Sequence, residues 1–180
     1  MTHHDPVHVL MHEHEVIKKV VAGLDKIATR LEGGNQVDPE TLRAVVRFLR
    51  EFADRCHHAK EEGILFPAMQ AKGVPASGCP LEGLLGEHRQ ARALVTAFAE
   101  AVDAYAAGRA AAGREIVDAA RKIVALYGSH MWKEDEMVFP MVDRLFSPAE
   151  RDELFERFEE AEEEIGADHE ALARFAEALA

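Results

Sequence analysis

The chain is short of basic charge. Its 180 residues carry 21 Lys and Arg against 33 Asp and Glu, a formal net charge of −12. A nucleic-acid binder needs a basic footprint, and so does a protein drawn to an anionic membrane surface; neither partner is expected. Cysteine is scarce as well. Cys56 and Cys79 are too few for a secreted disulfide scaffold and read as small hydrophobes. No apolar run approaches the ~20 residues of a membrane-spanning helix. The opening stretch, MTHHDPVHVL, has neither the basic start nor the apolar core of a secretory signal. Strand-forming runs are missing too. The expectation is a single cytoplasmic all-α domain over residues 1–180, its oligomeric state left open. A chain of this length buries roughly 70% of the surface its unfolded form exposes, so it needs no staple merely to fold.

Helical periodicity is abundant. Val7, Leu10, His14, Ile17, Val21, Leu24, Ala28 and Leu31 recur at three- and four-residue steps, on one helical face. Asp5-Pro6 starts that helix and Gly33-Gly34 ends it. Asp38-Pro39 starts a second, running to about Lys72, and the loop after it is punctuated by Gly73, Pro75 and Gly78. Pro80 opens a third, with Leu81, Leu84, His88, Ala91, Val95, Phe98 and Val102 on its stripe. Gly108 and Gly113 bracket the turn into a fourth, carrying Ile116, Ile123, Leu126, His130, Met137 and Met141. Ser147-Pro148-Ala149-Glu150 is a capping box, from which a fifth helix is expected over 147–180. Its acidic run, Glu159 to Glu164, reads as a solvated face. Short connections predict an up-down-up-down antiparallel four-helix bundle over 5–145, built of hairpins 5–72 and 80–145, with the additional C-terminal helix packed outside.

The second half repeats the first. His57-His58-Ala59-Lys60-Glu61-Glu62-Gly63-Ile64-Leu65-Phe66-Pro67 aligns without gaps to His130-Met131-Trp132-Lys133-Glu134-Asp135-Glu136-Met137-Val138-Phe139-Pro140. Upstream, Glu13-His14 aligns to Glu87-His88. His14 and His57 are 43 residues apart; His88 and His130 are 42 apart. Register selects the inward side chains. His57 and Glu61 share a face with Val46, Leu49, Ala53 and Ile64, whereas His58 and Glu62 share one with Arg47, Glu51, Asp54 and Arg55. Charged residues belong in water, so His57 and Glu61 point in and His58 points out. The same test selects His130 and Glu134, and on the first helix His14 over His12. At ~1.5 Å of rise per residue the four histidines and two glutamates fall at one height in the bundle.

Carboxylates and imidazoles in an apolar interior need a partner, since one uncompensated buried carboxylate costs several kcal/mol. Lys60 and Lys133 lie about 100° round the helix from Glu61 and Glu134 and flank the layer rather than fill it. A pair of cations answers the need. His-x3-Glu places a nitrogen and an oxygen ligand one turn apart, and a ligand set without cysteine favours iron or manganese.

These paired motifs resemble the hemerythrin-like family, the HHE cation-binding domain, over about residues 5 to 145. The resemblance implies a non-haem di-iron centre, two ions joined by an oxo or hydroxo bridge. His14, His57, His88 and His130 would be terminal ligands, and Glu61 and Glu134 would bridge. Oxygen-carrying members have a fifth histidine one turn after the third-helix ligand; here that position is Arg92. Four imidazoles, two bridging carboxylates and one bridging oxygen then leave two coordination positions open where a carrier leaves one. Such a centre suits binding of, or reaction with, O2, hydrogen peroxide or nitric oxide in a sensing or stress-protection role. The alternative is a catalase-like, peroxide-decomposing enzyme. Iron storage fits less well, because no extra inward carboxylates stand on the first and third helices. Tyr127, one turn before His130, is a candidate to hydrogen-bond a bound ligand, and His169 a candidate fifth ligand.

Overall fold

Aspartate and proline start the first two helices as expected. The Asp5 carboxylate accepts from the Val7 N–H at 2.9 Å and the Asp38 carboxylate from Glu40 at 3.2 Å, each with proline at the first helical position. Ser147 and Glu150 cap each other reciprocally, the Ser147 N–H donating to the carboxylate at 2.9 Å and the Glu150 N–H to the hydroxyl at 3.4 Å. The computed structural model describes residues 5–165 and 169–180, the side chains of 164 and 165 excepted. Among them are six helices and no strand: α1 (Pro6–Glu32), α2 (39–71), α3 (Leu81–Ala106), α4 (112–145), α5 (Pro148–Ile165) and α6 (His169–Leu179).

They form a helical bundle. α4 packs along α1 and α3, α2 packs along α3, and α5 and α6 lie against α1 and α2. The C-terminal region is therefore two helices where one was expected, with 166–168 outside the described residues. Each covers a different end of the bundle: Leu154 and Phe158 of α5 join one core cluster, Leu172 and Ala176 of α6 the other. The approach of α6 is close. A Cβ on Gly23 would stand 2.9 Å from the Leu179 carbonyl oxygen, so only glycine fits there.

α2 and α4 are not uniform α-helix. Leu49–His58, Glu61–Leu65 and Glu134–Val138 are wide, π-type turns. The Phe66 N–H donates to the Glu61 carbonyl and the Phe139 N–H to the Glu134 carbonyl, five residues back in each case. Pro67 and Pro140 follow directly. A proline ring collides with the carbonyl four residues before it, and a widened turn ahead of it relieves that collision. Such turns favour functional sites, and the two that precede the prolines each begin on a motif glutamate. The widening also changes register: Met137, expected on the inward stripe, is 49% exposed, and Val138 takes the buried place.

The core is divided in two. One cluster holds Val16 to Ala28 of α1 with Phe48, Phe52, Val95, Phe98, Ile116 and Ile123. The other holds Leu10, Leu65, Phe66, Leu84, Phe139, Val142 and Phe158. In α1, α2 and α3 the motif histidines lie between the stretches given to the two clusters, and in α4 His130 stands at the edge of the first, one residue before its last member, Met131.

Candidate metal centre

His14, His57, Glu61, His88, His130 and Glu134 meet in that gap, none more than 4% exposed. The Nε2 atoms of His14 and His57 are 3.0 Å apart, and those of His88 and His130 are 3.2 Å apart. The two glutamates stand between these pairs. Glu134 lies 3.3 Å from His14 Nε2 and 3.2 Å from His130 Nε2; Glu61 lies 3.6 Å from His57 Nε2 and 3.4 Å from His88 Nε2. Each glutamate thus faces an imidazole from each hairpin, which is what a bridging position requires.

The outer nitrogens explain the rest of the repeated motif. His57 Nδ1 is 2.9 Å from Glu13, and His130 Nδ1 is 3.0 Å from Glu87, the glutamate that precedes the partner histidine within the same hairpin. His88 Nδ1 is 2.7 Å from Glu62, and His14 Nδ1 is 2.7 Å from Asp135, the acidic residue after each bridging-position glutamate, now across hairpins. A carboxylate accepts from an Nδ1 proton, so this arrangement assigns the tautomer that leaves all four Nε2 lone pairs inward. Cations fix the carboxylates in turn: Lys60 pairs with Glu13 and Lys133 with Glu87, while Arg92 meets Glu62 at 2.8 Å and Lys18 meets Asp135 at 3.2 Å. Phe66 stacks on His88 (6.1 Å between centroids) and Phe139 on His14 (5.4 Å). Every conspicuous residue of H-x-x-K-E-[ED]…F-P therefore has a place around the histidines.

The interior of this shell asks for positive charge. All four carboxylate oxygens of Glu61 and Glu134 are buried without a hydrogen-bond partner. Burial drives the Glu61 carboxyl well above its usual range, helped by Glu13, and burial with the charge of Glu61 does the same to Glu134. Burial pushes His57 and His88 well below the ordinary imidazole value and brings His130 down to about 4. Facing lone pairs on neutral imidazoles 3.0 and 3.2 Å apart repel one another. Divalent cations bound by neutral imidazole and ionised carboxylate remove both costs, so the donor set fits a metal pair. Two groups of possible ligands result, His14–His57–Glu61–Glu134 and His58–Glu61–His88–His130, the ligand atoms of each lying within 4.8 Å of one another.

His58 is the main correction to the sequence reading. Expected in water, it is 1% exposed, stacked on His88 with centroids 3.9 Å apart, its Nδ1 3.3 Å from Asp54. The helical wheel turned each residue by about 100°; His58 ends the ten-residue wide-turn segment Leu49–His58, where each residue turns less. The faces drift, and the residue after His57 also comes inward. Lys60 is likewise wholly buried, pairing with Glu162 of α5 as well as Glu13. Burial works against its charge, yet Glu13 carries it above the usual lysine range.

Tyr127 is buried and stacks on His58 (6.1 Å) rather than on the inner pairs. It lines a cleft of about 350 Å³ between α2 and α3 with Asp54, His58 and Arg92. His169 stands away from the centre, 3.8 Å from Glu162 and beside Phe52, in a separate group with Cys56 and Glu162. Cys56 is buried, and burial pushes its thiol up to about 12; Cys79 is exposed, so it is no core hydrophobe.

This is the architecture of a cation-binding helical bundle. The hemerythrin HHE cation binding domain profile matches residues 5–142, and the chain belongs to that family. It is also 26% identical over 153 residues to uncharacterized proteins of Mycobacterium tuberculosis and Mycobacterium bovis, an alignment spanning 85% of this chain and 59% of theirs. No solved structure is significantly similar to it. No helix among the described residues is long and apolar enough to cross a membrane.

Proposed function

We propose that the chain is a single-domain di-iron protein that binds or reacts with O2, hydrogen peroxide or nitric oxide in a sensing or stress-protection role. One observation carries this reading: four orphaned carboxylate oxygens of Glu61 and Glu134 in a buried layer of inward Nε2 atoms. An up-down-up-down order of α1 to α4, as the short connections require, sets the hairpins face to face. Bound iron would supply redox chemistry and Lewis acidity towards such small ligands. The chain's own residues do the rest. Glu13, Asp135, Glu62 and Glu87 hold the imidazoles in one tautomer and one orientation. The clusters above and below exclude water. The test is element analysis with an optical spectrum of the isolated protein. Two iron equivalents per chain and near-ultraviolet absorption that changes on adding peroxide or nitric oxide support the reading; protein that holds no iron after anaerobic loading refutes it.

A further inference from the structure

Where α5 and α6 close over α2, a second group of ligand types comes together outside the paired motifs. Cys56 of α2, Glu162 of α5 and His169 of α6 each offer one atom, and the three atoms lie within 4.8 Å of one another. The repeat does not call for them. The position that matches Cys56 in the second half is Ser129, which is exposed, and the second half has no counterpart of α5 or α6 over it.

His169 is the imidazole whose nitrogens are unused. Its Nε2 is buried with no hydrogen-bond partner, and its Nδ1 stands 3.8 Å from Glu162 Oε2, beyond hydrogen-bond reach. The Cys56 thiol makes a long contact, 3.8 Å, with Glu13. Lys60 takes the other oxygen of Glu162, Oε1, together with Glu13, and leaves Oε2 to the histidine. A spacing of this size suits no direct bond, but it is close to the edge of a zinc tetrahedron, about 3.4–3.6 Å for ordinary Zn–S, Zn–N and Zn–O lengths. Charge points the same way. Glu13 and Glu162 share the one ammonium of Lys60, so a negative charge is left over; Zn2+ with a Cys56 thiolate adds one positive charge and closes the balance. A cavity of about 470 Å³, lined by Glu162 and His169 with His8, His12 and Phe52, lies beside the group and gives an ion a way in.

We propose that Cys56, Glu162 and His169 hold one Zn2+ ion in a site of its own, apart from the mid-bundle layer, with water from the cavity in the fourth position. A thiolate among the ligands selects zinc where the nitrogen and oxygen set of the layer selects iron or manganese. The thiol proton passes to solvent as the Zn–S bond forms. The ion ties α5 and α6 to α2, three segments that otherwise meet through packing and the Lys60 ion pairs. The proposal does not depend on what the mid-bundle layer binds.

The experiment titrates the full chain with Co2+, a spectroscopic stand-in for zinc, and then with Zn2+. Wild type is expected to develop a thiolate-to-cobalt charge-transfer band in the near ultraviolet worth one equivalent per chain, which Zn2+ bleaches. Imidazole and carboxylate ligands give no such band, so cobalt in the mid-bundle layer does not imitate it. Cys79→Ser is expected to keep the band and Cys56→Ser to lose it. Glu61→Gln, altered only in the layer, is expected to keep it too, which separates failure here from failure of the di-iron reading. His169→Ala removes a half-buried side chain, is expected to fold as wild type by circular dichroism, and should bind Zn2+ more than about tenfold more weakly. The proposal is overturned if folded wild type shows no band, if the band survives Cys56→Ser or vanishes in Cys79→Ser or Glu61→Gln, or if His169→Ala binds Zn2+ as tightly as wild type.

Discussion

The half of the centre built on α1 and α2 lies under cover, and the half built on α3 and α4 lies nearer solvent. α5 and α6 pack against α1 and α2. As a result Lys60 has no exposed side-chain surface and Glu13 only 6%, whereas their counterparts Lys133 and Glu87 keep 39% and 20%. One motif thus appears twice with the same partners and in two dielectrics. The same ion pair is cheap to lose at the surface and expensive to break in the interior. The shared elements are those that face the metal layer; the difference in exposure comes from what the outer helices cover.

The largest effects should strike both halves equally. Glu61→Gln and Glu134→Gln are each expected to strip both ions and forfeit the stability that binding supplies, about 4 kcal/mol at a thousandfold excess of free metal over Kd. With chelator present the sign reverses. Each variant should melt no lower than wild type, because an unpaired buried carboxyl has been removed. Unequal iron contents in the two variants would break the symmetry of the bridging positions.

The next comparison should separate the halves. Lys60→Met leaves Glu13 buried without its cation, with only the His57 N–H beside it, and is expected to cost about 3–5 kcal/mol, whereas Lys133→Met should cost less than about 1 kcal/mol. Equal costs by chemical denaturation would show that α5 and α6 do not shield the first half.

Acid titration probes the metal-free centre. His130 has a value of about 4 in the fold against 6.5 unfolded, so between these values the unfolded chain binds the proton and stability is lost as pH falls. This single group accounts for on the order of 3 kcal/mol. Glu61 and Glu134 act oppositely: their raised values mean that stability is lost as pH rises from 4.5 through those values. Metal-free protein should therefore show a narrow stability optimum and iron-loaded protein a broad one, as thermal melts across pH would reveal. The smallest effects concern orientation. Asp135→Asn and Glu62→Gln should each weaken iron binding about 10–100-fold by competition with a chelator, and by similar factors, since Lys18 and Arg92 do the same work on opposite sides.

Much of this could be read along the chain. The capping residues, the apolar stripes and the spacing of the repeat located α1 to α4 and brought six of the buried polar residues to one layer. Two of the departures, His58 and Met137, share one cause. His58 and Met137 were assigned on a wheel of constant pitch, and both lie in wide turns that rotate the chain less per residue. Lys60 was judged by its own helix, whereas it is Glu162, about a hundred residues away, that closes over it. Nothing local in the motif K-E-[ED] says which acidic neighbour orients which histidine, because two of the four pairings cross between hairpins.

Sequence alone determined the helical class, the two-fold repeat and the identity of the inward ligand types, because those depend on periodicity and on the cost of burying charge. The tertiary structure decided the rest: which lysine is buried, which carboxylate holds which imidazole, and that a fifth histidine, His58, is buried against the layer. Those outcomes depend on the pitch of a turn and on packing between segments distant in the chain, and neither is written in any local run of residues.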